Sequence, residues 1–100
     1  PYGPFLAADP REWTLEHYCR HIEHAVEVAG IDHVGLGFDF TDYLDDFGID
    51  ESVSHVTAGI GGVAQAQNVP QALSSHGFSP REIEKICCGN FLRLVGDVLR

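Results

Sequence analysis

The chain has 100 residues, 44% of them apolar, and a formal net charge of −9 from 15 acids against 6 bases. That composition suits one small domain and argues against disorder. The excess of acid would repel phosphate backbones and anionic lipid, so no nucleic-acid partner is expected. No apolar run reaches the length of a membrane span, and no signal-peptide pattern opens the chain.

Pro1 to Pro10 holds three prolines and a glycine and reads as a loop. Asp9-Pro10-Arg11-Glu12 can start a helical turn with Asp9 as its cap. A second start lies at Thr14. From there Leu15, Tyr18, Ile22, Val26 and Ala29 recur at helical spacing and form one apolar face. Gly30 supplies the stop.

His33 to Phe38 reads as a strand covered on both faces, because its apolar residues do not alternate strictly. Gly35 and Gly37 within it suggest close packing or close backbone approach. Thr41 to Gln67 is irregular. It carries Asp42, Asp45, Asp46, Asp50 and Glu51, then a stretch near Val53 to Ala58 that can be helical. Gly59-Ile60-Gly61-Gly62 is not a phosphate loop, because no Gly-Lys-Ser/Thr follows it.

Asn68 can cap a short helix with Pro70 in its first turn, ending at Gly77. Ser79-Pro80-Arg81-Glu82 has the form of a capping box with proline at the first helical position. Ile83, Ile86 and Cys87 form an apolar stripe after it. Gly89-Asn90 should break that helix, with Asn90 capping a last one through Phe91, Leu94, Val95 and Val98. A lone buried strand needs neighbours at both edges. Either the chain assembles with copies of itself, or its sheet lies in sequence beyond these residues. Pro1 in place of an initiator Met points to processing, truncation or an omitted segment.

Several side chains invite chemistry. His17, His21 and His24 share a helix face and resemble a metal site. A polar, solvated helix face accounts for them better. His33 reads as a hydrogen-bonded structural histidine, and His55 and His76 as residues in loops or at a helix end. The acidic cluster lacks the spacing of a calcium loop and reads as a solvated loop. Cys19, Cys87 and Cys88 are an odd count with an adjacent pair, a poor disulfide framework. Free thiols in a reducing compartment are expected, which favours a cytoplasmic location. Cys87 and Cys88 read as helix packing rather than a redox pair.

Two separated motifs carry a family resemblance. His21-Ile22-Glu23-His24 leads through Val28-Ala29-Gly30-Ile31-Asp32-His33-Val34-Gly35-Leu36-Gly37 into Phe38-Asp39-Phe40. Gly77-Phe78-Ser79 and Glu82-Ile83-Glu84-Lys85-Ile86 precede Gly89-Asn90-Phe91-Leu92-Arg93. In order and spacing these resemble the membrane (renal-type) dipeptidases, zinc-dependent metallopeptidases of the amidohydrolase-like barrel superfamily. The match is weakest from Asp42 to Gln67.

The resemblance implies an α/β fold, a partial (β/α)8 TIM barrel that is helix-rich as an isolated piece. Residues 1–100 would be the C-terminal portion of one barrel domain: the loop after strand seven, helix seven, strand eight and the C-terminal helices. A whole barrel needs about 250 residues. Asp39, at the end of strand eight, matches the family's catalytic Asp, which faces the water bridging two zinc ions. Phe38 and Tyr43 are candidates for the substrate pocket. The family's metal ligands all fall upstream of Pro1, so none is assigned here.

The implied function is the C-terminal part of a metal-dependent dipeptidase that cleaves small dipeptides, with these 100 residues inactive alone. Its partners would be the dipeptide and the missing N-terminal barrel segment. The alternative is an inactive fragment or a stand-alone oligomerising module. The family's Gly-Ser-Asp-Phe-Asp-Gly is here Gly37-Phe38-Asp39-Phe40-Thr41-Asp42. The changes at Phe38, Thr41 and Asp42 bear on the loop's shape and on dipeptide preference.

Overall fold

Thr14 opens the first helix, α1 (Leu15–Ala29), by accepting a hydrogen bond from the His17 amide. This is seen in a computed structural model that describes residues 3–38, 40 and 57–99. Gly30 ends α1 at φ +88°, where a β-carbon would be strained, and its N–H still bonds the Val26 carbonyl. Upstream, the proline-rich stretch is wound into two 3₁₀ turns, Gly3–Phe5 and Pro10–Glu12. Asp9 caps the second by accepting from the Arg11 amide. The Trp13 ring lies over Gly3 so closely that no larger residue fits there, and its indole N–H donates to the Ala7 carbonyl.

The stretch read as a strand, His33 to Phe38, holds no strand among the described residues. His33 belongs to a 3₁₀ turn, Ile31–His33, and the chain turns extended at Val34, with φ −113° and ψ 132°. No ladder partner for Val34 to Phe38 is found among the described residues. Burial along the segment nevertheless alternates. Val34 is buried, and Leu36 and Phe38 pack against the core, while Gly35 and Gly37 are exposed. That is the period of an extended chain, with Gly37 facing open space and Gly35 facing the Phe91 ring. Among the described residues the single β-bridge is parallel and joins Thr14 to Ala58. Ala58, read as the end of a helical stretch, is thus in extended pairing, with its N–H on the Trp13 carbonyl at 2.8 Å. Val53 to Val56 lie outside the described residues.

Helix α2 spans Asn68–Ser75. Asn68 does not cap it. Its side chain donates to the Gly59 carbonyl at 2.8 Å and so ties the glycine-rich turn to the helix. Ser79 opens α3 (Pro80–Glu84) with both halves of a capping box in place. The break expected at Gly89-Asn90 does not occur. Helix α3 runs through a π-helical segment, Lys85–Gly89, into α4 (Asn90–Val98). The Asn90 amide bonds the Lys85 carbonyl, the wider i→i+5 pattern that takes one extra residue without ending the helix.

The core is small. Cys19 and Ile22 of α1 meet Val34, Ile60, Val69 and Leu73 of α2, and Ile86 of the π segment. On α4 and just beyond it, Phe91, Leu92, Leu94, Val95, Val98 and Leu99 are all exposed. A helix usually buries an apolar stripe of that width. Among the described residues nothing covers this one.

Candidate functional site

Asp39 and Tyr43 lie outside the described residues, as do His55 and Asp42, Asp45, Asp46, Asp50 and Glu51. The neighbours of Asp39 in sequence are described. The Phe38 ring stacks on Phe40 with centroids 4.8 Å apart and planes 9° from parallel. Phe38 also meets Tyr18 of α1, at 6.2 Å and a tilt of 40°. It therefore points to the helix side of the segment, opposite Gly35 and Gly37. Burial against the same core pushes the Tyr18 phenol up from its ordinary value.

The foot of the segment is held from the C-terminal helix. The Asn90 amide donates to the carbonyls of Ile31, at 2.7 Å, and Val34, at 2.9 Å. Arg93 donates to the Asp32 carbonyl and to the Asn90 side-chain oxygen. Lys85 pairs with the Asp32 carboxylate at 2.6 Å, and that hydrogen bond holds the carboxyl below its ordinary range. Residues from this continuous helical run thus satisfy four acceptors at the foot of the segment, the carbonyls of Ile31, Asp32 and Val34 and the Asp32 carboxylate. In the sequence alone Asn90 reads as a helix cap, and nothing local marks a role for Lys85 or Arg93. The available signal was an Asn and an Arg three apart within an apolar helix.

The histidines divide among separate partners. His21 donates to the Leu6 carbonyl at 2.7 Å, and His24 faces Glu27 at 3.9 Å. His33 donates to the Ala29 carbonyl at 2.7 Å. His76, after α2, donates to Glu23 of α1 at 2.8 Å and clasps the two helices. Among the described residues no group of three His, Cys, Asp or Glu side chains could hold a metal.

All three thiols are free. Burial pushes Cys19 up to about 11 and raises Cys87 as well, while Cys88 is exposed. Two open apolar grooves adjoin the extended segment. One passes Val34 and Gly35 beside Ala25 and Val28 of α1, and the other passes Leu36 beside Cys88, Phe91 and Leu92. No helix among the described residues is long and apolar enough to cross a membrane.

Compared with known families, residues 2–99 match the profile of membrane dipeptidase, peptidase family M19. The chain belongs to the membrane dipeptidase family. Relatives of this membrane dipeptidase segment include dipeptidase tcpJ of Claviceps purpurea (strain 20.1), 34% identical over 90 residues. That match takes in 90% of this chain and 19% of the relative. Dipeptidase aclJ of Aspergillus oryzae (strain ATCC 42149 / RIB 40) is 32% identical over 85 residues, 85% of this chain and 18% of the relative. The chain thus spans about a fifth of the length of these curated relatives. No solved structure matches it.

Proposed function

We propose that the chain is the C-terminal part of a metal-dependent dipeptidase, with Asp39 as the acid/base in hydrolysis of small dipeptides. One observation carries the reading. From Val34, where the backbone is extended, to Phe38 burial alternates, with the even positions on the core and Gly35 and Gly37 exposed. In this proposal Asp39, the next residue in sequence, stands at the C-terminal end of strand eight. Active-site residues of barrels of this type come from the C-terminal ends of strands.

The reading makes α1 helix seven of a (β/α)8 barrel and Val34 to Phe38 strand eight. The upstream barrel would then lie along the glycine face, the two grooves and the exposed side of α4. In the reaction, the Asp39 carboxylate takes a proton from the attacking water and returns it to the leaving amine, which departs neutral. Tyr43, four positions on, is proposed to border the dipeptide. Zinc, when bound, lowers the pKa of water and polarises the scissile carbonyl. The described residues offer no ligand set for it. In this proposal its ligands lie upstream.

The exposed side of α4 also favours a second reading, a self-associating module without catalysis. The whole gene product and the 100-residue chain, each supplied with zinc and glycyl-phenylalanine, separate the two. The first reading expects hydrolysis by the whole protein, near-complete loss in Asp39→Asn, and none by the 100-residue chain. Undiminished hydrolysis by Asp39→Asn would sink it.

A further inference from the structure

We infer that Tyr18, Phe38 and Phe40 form a ring stack that positions Asp39, with Phe38 serving as an anchor rather than a substrate contact. The inference rests on the proposed acid/base role of Asp39. It concerns the residues on either side of it, whose rings are described.

Phe38 and Phe40 are two apart in sequence, and their rings lie face to face. Their near-parallel stack at 4.8 Å ties the two positions that flank Asp39 to each other. A stack between neighbours could still swing as a unit. Tyr18 stops that, because Phe38 lodges against its ring, and Tyr18 stands on α1 beside Cys19, which is fully buried. The helix is in turn fixed by Ile22 in the core and by the His76–Glu23 clasp to the end of α2. The chain at positions 38 and 40 is thereby referred to the rigid part of the molecule. Misplacing a reacting group by about 1 Å can lower a rate about 100-fold, so a device of this kind reads out in turnover.

The Tyr18 ring, rather than its hydroxyl, is what this account requires. Phe at position 18 should therefore substitute for Tyr, and an aliphatic residue should not. Phe38 lies on the helix side, so its loss should spare substrate affinity.

The experiment uses the whole gene product with zinc bound and glycyl-phenylalanine as substrate, and measures kcat, KM and zinc content. Tyr18→Leu and Phe38→Ala are expected to lower kcat about 10- to 100-fold, with KM within about twofold and zinc content unchanged. Tyr18→Phe is expected to keep kcat within about twofold. Should Phe38→Ala fail to fold, Phe38→Leu carries the test. Unchanged kcat in the ring-removing variants overturns the inference. So does a loss fully explained by lower zinc content or a smaller folded fraction, and so does a rise in KM alone, which would make Phe38 a substrate contact. Asp39→Asn separates the two levels. If it abolishes turnover while Phe38→Ala does not, only the positioning role fails. If Asp39→Asn is fully active, the acid/base reading fails and takes the positioning role with it.

Discussion

Asn90 hydrogen-bonds the carbonyl of Val34 at 2.9 Å across 56 positions of sequence. The same amide group satisfies Ile31. A side chain from the last helix thus fixes where the segment from Val34 to Phe38 begins.

Replacing Asn90 by Leu leaves both carbonyls facing an apolar side chain. A buried unsatisfied polar group costs about 1–3 kcal/mol. Asn90→Leu should lower stability by about 2–4 kcal/mol, read as a fall in the urea midpoint of the whole protein at unchanged slope. An unchanged midpoint would show that water replaces the amide at no cost.

Asp32 gives a dependence on acid. Lys85 holds its carboxyl below the ordinary value of 3.8. A depressed folded-state pKa contributes stability above the unfolded value, and that stability is lost as pH falls through the folded one. The contribution should be complete above about pH 5 and fade on acidification through about pH 4 and below. Asp32→Asn should therefore lower the thermal midpoint at neutral pH and converge with wild type in acid. Both groups are partly exposed, so the difference should be small and shrink in salt. A gap that widens in acid would contradict the assignment.

The thiols should react in order of exposure. A thiol-specific disulfide reagent at pH 8 should label Cys88 first and Cys87 more slowly. Cys19, fully buried and pushed up to about 11, should react only on unfolding. Cys88→Ser should remove the fast phase, and a fast phase that survives it would misplace the exposed thiol.

The bare side of α4 should make the 100-residue chain self-associate in isolation. Sedimentation across a concentration series should show species larger than a monomer. Leu94→Lys with Val98→Lys should shift them toward monomer, since both sites are exposed on that face. A cooperative melt of the unaltered chain that ignores concentration would defeat this expectation.

What the sequence made legible was local. Thr14, Gly30 and Ser79 act on backbone groups within a few residues, so their chemistry can be read from neighbours alone. Asn68 and Asn90 were misread because asparagine is a good cap, and a cap is the local explanation. Their actual partners, Gly59 and the Ile31 and Val34 carbonyls, are set by tertiary contacts that no window of sequence contains. The alternation of Val34 to Phe38 was hidden for another reason. Glycine marks neither a buried nor a solvated side, so Gly35 and Gly37 conceal the alternation in the sequence. Asp39 was recognisable by resemblance alone, and the Tyr18–Phe38 contact joins two elements whose relative placement the sequence does not state.

The π segment has a consequence for tolerance to length change. Lys85–Gly89 carries one residue more than an α-helical path between α3 and α4 requires. Excising one residue there, with Cys88 the natural choice because it is exposed, would let the hydrogen bonds contract to i→i+4 while Asn90 kept facing the same carbonyls. Adding one residue has no such slack to draw on. It would turn the rest of the helix by about 100° and carry Asn90 and Arg93 away from their acceptors. The last helix is thus asymmetric in the errors it can absorb, forgiving of a codon lost and intolerant of a codon gained.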